Sequence, residues 1–217
     1  MPVRILLADD HAILRSGLRR ILESYPGFVV AAEAASGTEA VTLARDERPD
    51  VAIVDVGMPG LNGIEATAQI LRRSPSTAVL ILSMHSDERY VVRALKAGAR
   101  GYLLKDSVER ELIQAIEAVH AGKTFFSPAV AKVLSGRDAE APRSHQVEDR
   151  YDLLTERERE IYQLLAEGKC NKEIASLLCL SLHTVETHRT RVMDKLGLHS
   201  AAELVLSAVR RGLVGLP

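Results

Sequence analysis

The sequence has no tryptophan, three phenylalanines and only two cysteines. Cys170 and Cys179 stand nine apart without clustered partners, so neither a disulfide framework nor zinc-ligand spacing is indicated, and buried reduced thiols are expected. No stretch approaches the roughly 18 consecutive apolar residues that a spanning helix needs. The opening residues, Met1 to Ala8, go straight into a strand-like pattern, so a cytoplasmic chain with no membrane association is expected. An excess of charge of one sign is also missing, with 28 Lys and Arg against 29 Asp and Glu. Residues 151–217 are likewise balanced, so any attraction for nucleic acid must come from local placement of charge. An apolar content of 47% excludes a disordered or fibrous chain, and 217 residues make room for one large or two small domains.

Over the first 125 or so residues, short β-rich apolar runs alternate with helical patterns, as in βα units around a parallel sheet. Five strands are expected, Val3 to Ala8, Phe28 to Glu33, Val51 to Val54, Val79 to Leu82 and Gly101 to Leu104. Helical periodicity falls near Ile13 to Leu22, Glu39 to Arg45, Ile64 to Arg72, Glu88 to Ala97 and Val108 to His120. The third strand is apolar without alternation and should be central, covered on both faces. In such an open sheet ligand chemistry sits beyond the carboxyl ends of the strands, where the crossover direction switches.

Those strand ends carry a specific set. Strand one runs into Asp9-Asp10, strand three into Asp55, strand four into Ser83 and strand five into Lys105. Three converging carboxylates repel one another unless a cation is present, and Mg²⁺ suits them because it takes few carboxylates together with water and phosphate oxygens. Asp55 is the best nucleophile, since it ends the central strand before the turn-forming Gly57-Met58-Pro59-Gly60. Lys105 would face phosphoryl oxygens with a fixed positive charge and Ser83 with a hydroxyl donor. Taken singly each has a plainer reading: an Asp after a strand is commonly a turn residue, and Asp9 or Asp10 would serve as a cap for the helix near Ala12.

The set Leu7-Ala8-Asp9-Asp10-His11, Asp55 to Gly63, Leu82-Ser83-Met84 and Gly98 to Lys105 resembles the receiver domain of two-component response regulators over about residues 3 to 121. That resemblance implies Asp55 as phosphoacceptor, Mg²⁺ held by Asp9, Asp10, Asp55 and the Gly57 main-chain carbonyl, and Ser83 and Tyr102 as switch hydroxyl and switch aromatic. Lys105 completes the set. Phosphorylation is expected to draw Ser83 inward, with Tyr102 following. Gly57 and Met84 occupy positions that tune dephosphorylation in the family.

Periodicity fades from about Ser127 to Arg150, which reads as a linker, and only helical segments follow. Thr155-Glu156-Arg157-Glu158 forms a capping box, and Gly168 a good residue to follow that helix. Asn171, Ser181 and Ser200 are plausible N-caps for three further helices. On the third helix Val185, Val192 and Leu196 share one face. His183, Glu186, Thr187, Thr190, Arg191 and Asp194 lie opposite and suit a major groove, while a solvated face of an interaction module remains the plain alternative. His188 reads as a packing residue and Arg189 as a phosphate contact beside the stripe.

The segments Leu154 to Ile161, Asn171 to Ala175, Leu180-Ser181 and Thr184 to His188, closing on Lys195-Leu196-Gly197-Leu198, are similar to the LuxR-type helix-turn-helix. With the receiver they resemble NarL/FixJ-type response regulators. The resemblance implies a flavodoxin-like α/β receiver with a five-stranded, doubly wound parallel sheet (1–126), a linker (127–149) and a small all-α, four-helix DNA-binding domain (150–217). It implies DNA contacts from Lys172, Thr184, Glu186, Thr187, Arg189, Thr190 and Arg191. Glu186 departs from relatives that carry lysine there. The expected partners are a sensor histidine kinase, double-stranded promoter DNA and a second copy of the chain; the apolar residues Ala202, Leu204, Val205, Ala208 and Val209 of the fourth helix are one candidate interface for that copy, and packing into the core of their own domain is the plain alternative. No enzyme activity is expected beyond the receiver's own phosphoryl transfer and dephosphorylation. A Mg²⁺-dependent phosphatase, the rival, usually places a second acid two residues after its nucleophile, where this chain has Gly57.

Overall fold

The computed structural model describes residues 1–135, 150–211 and 213–214, which fall into two compact units divided between residues 135 and 150. The first unit alternates β1 (Val3–Ala8), α1 (Ala12–Glu23), β2 (Phe28–Ala34), α2 (Gly37–Glu47), β3 (Val51–Asp55), α3 (Gly63–Arg73), β4 (Ala78–Ser83), α4 (Glu88–Lys96), β5 (Gly101–Leu104) and α5 (Val108–His120). The strands pair in parallel in the order β2-β1-β3-β4-β5, which places β3 at the centre and the reversal of strand order between β1 and β3.

Alternate residues of the buried strands feed two cores, one on each face. Ile5, Leu7, Ile53 and Leu80 pack under α1 and α5 with Leu18, Leu22, Leu112 and Ile116. Leu6, Ala52, Val54 and Ile81 pack under α2, α3 and α4 with Val41, Ile70 and Val91. Each fully buried Leu or Ile contributes about 1.5–3 kcal/mol, so the two layers carry the stability of the unit. At the site end, α3 is pressed against the end of β3. A β-carbon on Gly63 would collide with the Asp55 carbonyl oxygen, and buried Asn62 caps α3 by accepting from the amides of Ile64 and Glu65.

Two features of this first unit depart from the expectation. A sixth strand, β6 (Phe125–Phe126), pairs in parallel with β5, and α6 (Pro128–Ser135) follows where a linker was expected from residue 127. The reason is local packing. The Ser127 amide donates to the Tyr102 carbonyl at 3.1 Å, its hydroxyl accepts from the Leu104 amide at 3.1 Å, and Val130 is buried in the α2–α4 core. The linker residues 136–149 lie outside the described residues.

The second unit holds a 3-10 turn (Arg150–Leu153), α7 (Glu156–Ala166), α8 (Asn171–Leu177), α9 (Leu182–Leu196) and α10 (Ala201–Arg210). The expected capping box of Thr155 and Glu158 is present, and Gly168 follows α7 at φ +83°. Ser181 and Ser200 cap α9 and α10, accepting from Thr184 and Glu203. Helix α8 begins one residue earlier than expected, with Cys170 at the N-cap and the Glu173 carboxylate accepting from its amide at 2.7 Å. Both cysteines are exposed rather than buried. Cys170 stands at that cap and Cys179 in a left-handed turn (φ +52°) between α8 and α9, positions that face away from the core.

Glu158 is buried, and Lys195 reaches it from α9 at 2.7 Å while also donating to the Leu153 carbonyl at 3.0 Å. Burial alone would raise the Glu158 pKa, but the Lys195 ammonium and the Thr155 amide outweigh it and hold the carboxyl below its usual range. The pair therefore stabilises the unit above the ordinary glutamate range, and that contribution is lost as pH falls through the lowered value. Lys195→Met should cost about 1–3 kcal/mol, less than for a fully buried pair because Lys195 is one-third exposed, and should flatten the acid limb. Amide exchange of α7 and α9 against pH in the full chain reads both effects; unchanged protection would show that the pair holds nothing together.

Candidate functional site

The carboxyl ends of β1, β3, β4 and β5 converge as the sequence implies. Asp9 and Asp55 are almost wholly buried, at 1% and 4% exposure, and Lys105 bridges them, Nζ lying 2.9 Å from Asp9 Oδ2 and 3.0 Å from Asp55 Oδ1. Asp10 is more open and His11 joins the cluster, its Nδ1 2.8 Å from Asp10 Oδ1 and 3.4 Å from Asp9 Oδ1. One ligand atom from each of Asp9, Asp10, His11 and Asp55 fits within 4.8 Å of the others. Despite the ammonium beside it, buried Asp9 Oδ2 accepts no aligned hydrogen bond. An oxygen in that condition is suited to a divalent cation.

The electrostatics follow from burial and neighbours. Burial raises the Asp55 pKa above the ordinary aspartate value; Lys105 opposes this, the Asp9 charge adds to it, and a Gly57 main-chain hydrogen bond opposes it again. Burial alone would lower Lys105, but Asp55 and Asp9 outweigh it and raise its pKa. A β-carbon on Gly57 would stand 3.6 Å from Asp55 Oδ2, so position 57 is where a neighbouring proton donor would sit, and glycine offers none.

Ser83 is buried at the end of β4, its Oγ accepting from the His85 amide at 3.0 Å. Tyr102 is fully buried and donates to the His85 carbonyl at 2.7 Å; burial pushes its hydroxyl pKa up to about 12. Met84 is exposed beside the site.

In the second unit Val185, Val192 and Leu196 turn inward, and Glu186, Thr190, Arg191 and Asp194 are exposed on α9. Thr184, Thr187, His188 and Arg189 are partly exposed. The Thr187 and Thr190 hydroxyls donate to the carbonyls of His183 and Glu186, leaving their oxygens as acceptors. Arg189 is held 3.3 Å from the Asn171 side chain, which ties α9 to the start of α8 beside exposed Lys172. His188 packs, as expected, with its Nδ1 buried.

Residues 5–117 match the family described as response regulator receiver domain, and residues 152–208 that described as bacterial regulatory proteins, luxR family. The oxygen regulatory protein NreC of Staphylococcus epidermidis is 40% identical over 98% of the chain and 99% of its own length. The chain is a two-component response regulator. The response regulator is also similar to GacA of Pseudomonas aeruginosa, 37% identical over 98% of each chain. Among solved structures, a LuxR-family response regulator from Aurantimonas is 42% identical with a TM-score of 0.62, covering 64% of this chain and all of that one. An RcsB–DNA complex is 28% identical with a TM-score of 0.59, covering 96% of this chain and all of that one.

The response regulator thus carries a receiver unit with an acidic cluster compatible with a divalent metal, and a LuxR-type DNA-binding unit. Among its described residues no helix is long and apolar enough to cross a membrane. Motif reading missed three residues of these sites. His11 stands within the Asp9-Asp10 motif, where the resemblance gives it no role, and His85 and Ser127 act through main-chain and ring contacts that no side-chain pattern announces.

Proposed function

We propose that the response regulator takes a phosphoryl group on Asp55 from a sensor histidine kinase and that this modification governs binding of promoter DNA by α9. The observation that supports it most directly is the Lys105 bridge between two buried carboxylates at the ends of β1 and β3. Asp9, Asp10, Asp55 and the Gly57 carbonyl are the groups that would hold Mg²⁺, which supplies charge neutralisation on phosphoryl oxygens. An Asp55 carboxylate oxygen forms the new O–P bond as the N–P bond of the kinase's phosphohistidine breaks, and the departing imidazole takes its proton from solvent. Lys105 is released from Asp55 to pair with a phosphoryl oxygen, and the Ser83 hydroxyl turns to donate to another. Such a cycle goes with a cytoplasmic location.

On the output side, Thr187, Glu186, Thr190 and Arg191 form the candidate base-reading face of α9, with Thr184, Lys172 and Arg189 placed to meet phosphates. One short helix reads too few base pairs for useful specificity, so the bound form is a homodimer. Helix α10 divides in two: Leu204 and Ala208 are buried in the core, and Ala202, Val205 and Leu206 remain exposed as a candidate interface.

Titrating duplexes recovered from genomic DNA over a range of salt tests this face. Thr187→Ala or Thr190→Ala should lose about 1–3 kcal/mol of discrimination against mismatched sites with the salt slope kept, whereas Lys172→Ala should reduce the slope by about one and weaken all sequences alike. Equal losses on matched and random DNA for the threonine variants would remove α9 from base reading.

A further inference from the structure

Three contacts meet on His85, a residue outside every motif. Its amide donates to Ser83 Oγ at 3.0 Å, its carbonyl accepts from the Tyr102 hydroxyl at 2.7 Å, and its ring stacks on Tyr90 with centroids 4.7 Å and planes 10° apart. Ser83 and Tyr102 are buried, His85 is exposed, and Tyr90 is half-buried against the α2–α4 core. The loop that carries His85 runs only from Met84 to Asp87, the α4 cap, and Met84 is exposed as well. A short exposed loop has little apolar burial to hold it, so the main-chain geometry joining Ser83 to Tyr102 depends on what fixes this segment to α4. The ring stack crosses that gap, from His85 in the loop to Tyr90 in α4.

We propose that His85 is a positioning residue of the switch, with the His85–Tyr90 stack latching the β4–α4 loop to α4 so that one peptide segment holds the Ser83 hydroxyl and the buried Tyr102 hydroxyl together. The inference rests on the reading of Asp55 as phosphoacceptor and names the side chains through which a change at Ser83 reaches α4. A turn of Ser83 Oγ toward a phosphoryl oxygen bears directly on its bond to the His85 amide, and the same segment carries the acceptor of Tyr102. The stack decides whether the loop, and α4 with it, follows as a unit. An aromatic pair of this geometry shifts a two-state equilibrium by roughly 2- to 10-fold.

The test uses the full chain made with fluorotyrosine, in which five tyrosines give fluorine resonances and Tyr102→Phe identifies the one that matters. In His85→Ala the exposed population of Tyr102 should rise roughly 2- to 10-fold, and phosphoryl uptake from acetyl phosphate should slow by a similar factor. His85→Phe keeps the ring and should restore both. Tyr90→Leu, which keeps apolar burial and removes the partner ring, should reproduce His85→Ala, and the double variant should add nothing. An unchanged Tyr102 resonance in His85→Ala overturns the proposal, and so does a His85→Phe chain that behaves like His85→Ala. The fluorine spectrum is taken without phosphodonor, so the latch stands or falls on it whatever labelling at Asp55 shows.

Discussion

Incubated with acetyl phosphate and Mg²⁺, the wild-type chain should gain a single acid-stable, base-labile phosphoryl group, and Asp55→Asn should gain none. The expected loss is complete because Asp55 alone combines a carboxylate at the end of the central strand, an adjoining turn and an ammonium 3.0 Å away. Asp9 is as buried but is held by His11 and Lys105. Loss of label through unfolding has a built-in control. The folded Asp55 pKa lies above its unfolded value, so the charged carboxylate opposes folding, and that penalty grows as pH rises through the raised value. Asp55→Asn should therefore be more stable than wild type near neutral pH, with the gain fading in acid. Mass mapping after borohydride trapping reads the site, and stoichiometric label at another residue of Asp55→Asn would remove Asp55 from the role.

The second large effect concerns Lys105. Its ammonium lies within 3.0 Å of both Asp9 and Asp55, and only a tenth of its side chain is exposed. Lys105→Met leaves two buried carboxylates without their counterion, and breaking a buried pair in this way costs about 3–5 kcal/mol. The receiver unit should melt about 10–20 °C lower in EDTA than wild type. Mg²⁺ at a hundred times its dissociation constant should return about 2.7 kcal/mol, because the cation replaces the lost charge. Phosphoryl uptake by the variant should no longer change DNA affinity. A Lys105→Met chain that melts with wild type in EDTA would show that the bridge does not hold the pocket.

The sheet and its site were legible in the sequence for a common reason. Central strands covered on both faces are continuous apolar runs, and the first polar residue at the end of each run marks the carboxyl edge of the sheet, so Asp9, Asp55, Ser83 and Lys105 fall on the strand ends that the runs of β1, β3, β4 and β5 define. What stayed hidden depends on contacts distant in sequence or made by the main chain. Two residues, Phe125 and Phe126, carry too little periodicity to mark a strand, and β6 exists because β5 offers it an edge. Pro128, an acceptable first helical residue, was the available sign of α6. The cap of α8 was misplaced by one because asparagine is the commoner cap and cysteine is not, yet Glu173 serves the Cys170 amide all the same. On α10, Leu204 and Ala208 are four apart on the same helical face, and only the packed core shows that this face turns inward while Val205 and Leu206 remain outside.

The central claim is that a phosphoryl group on Asp55 controls the DNA-binding face of α9. The most direct test is one titration of the full chain against a fluorescent duplex recovered from genomic DNA, before and after acetyl phosphate, for wild type and for Asp55→Asn. Wild type should bind at least tenfold more tightly after treatment, about 1.4 kcal/mol, and Asp55→Asn should be unaffected. Equal tightening of Asp55→Asn, or none in a wild-type chain shown to be phosphorylated, would contradict the account.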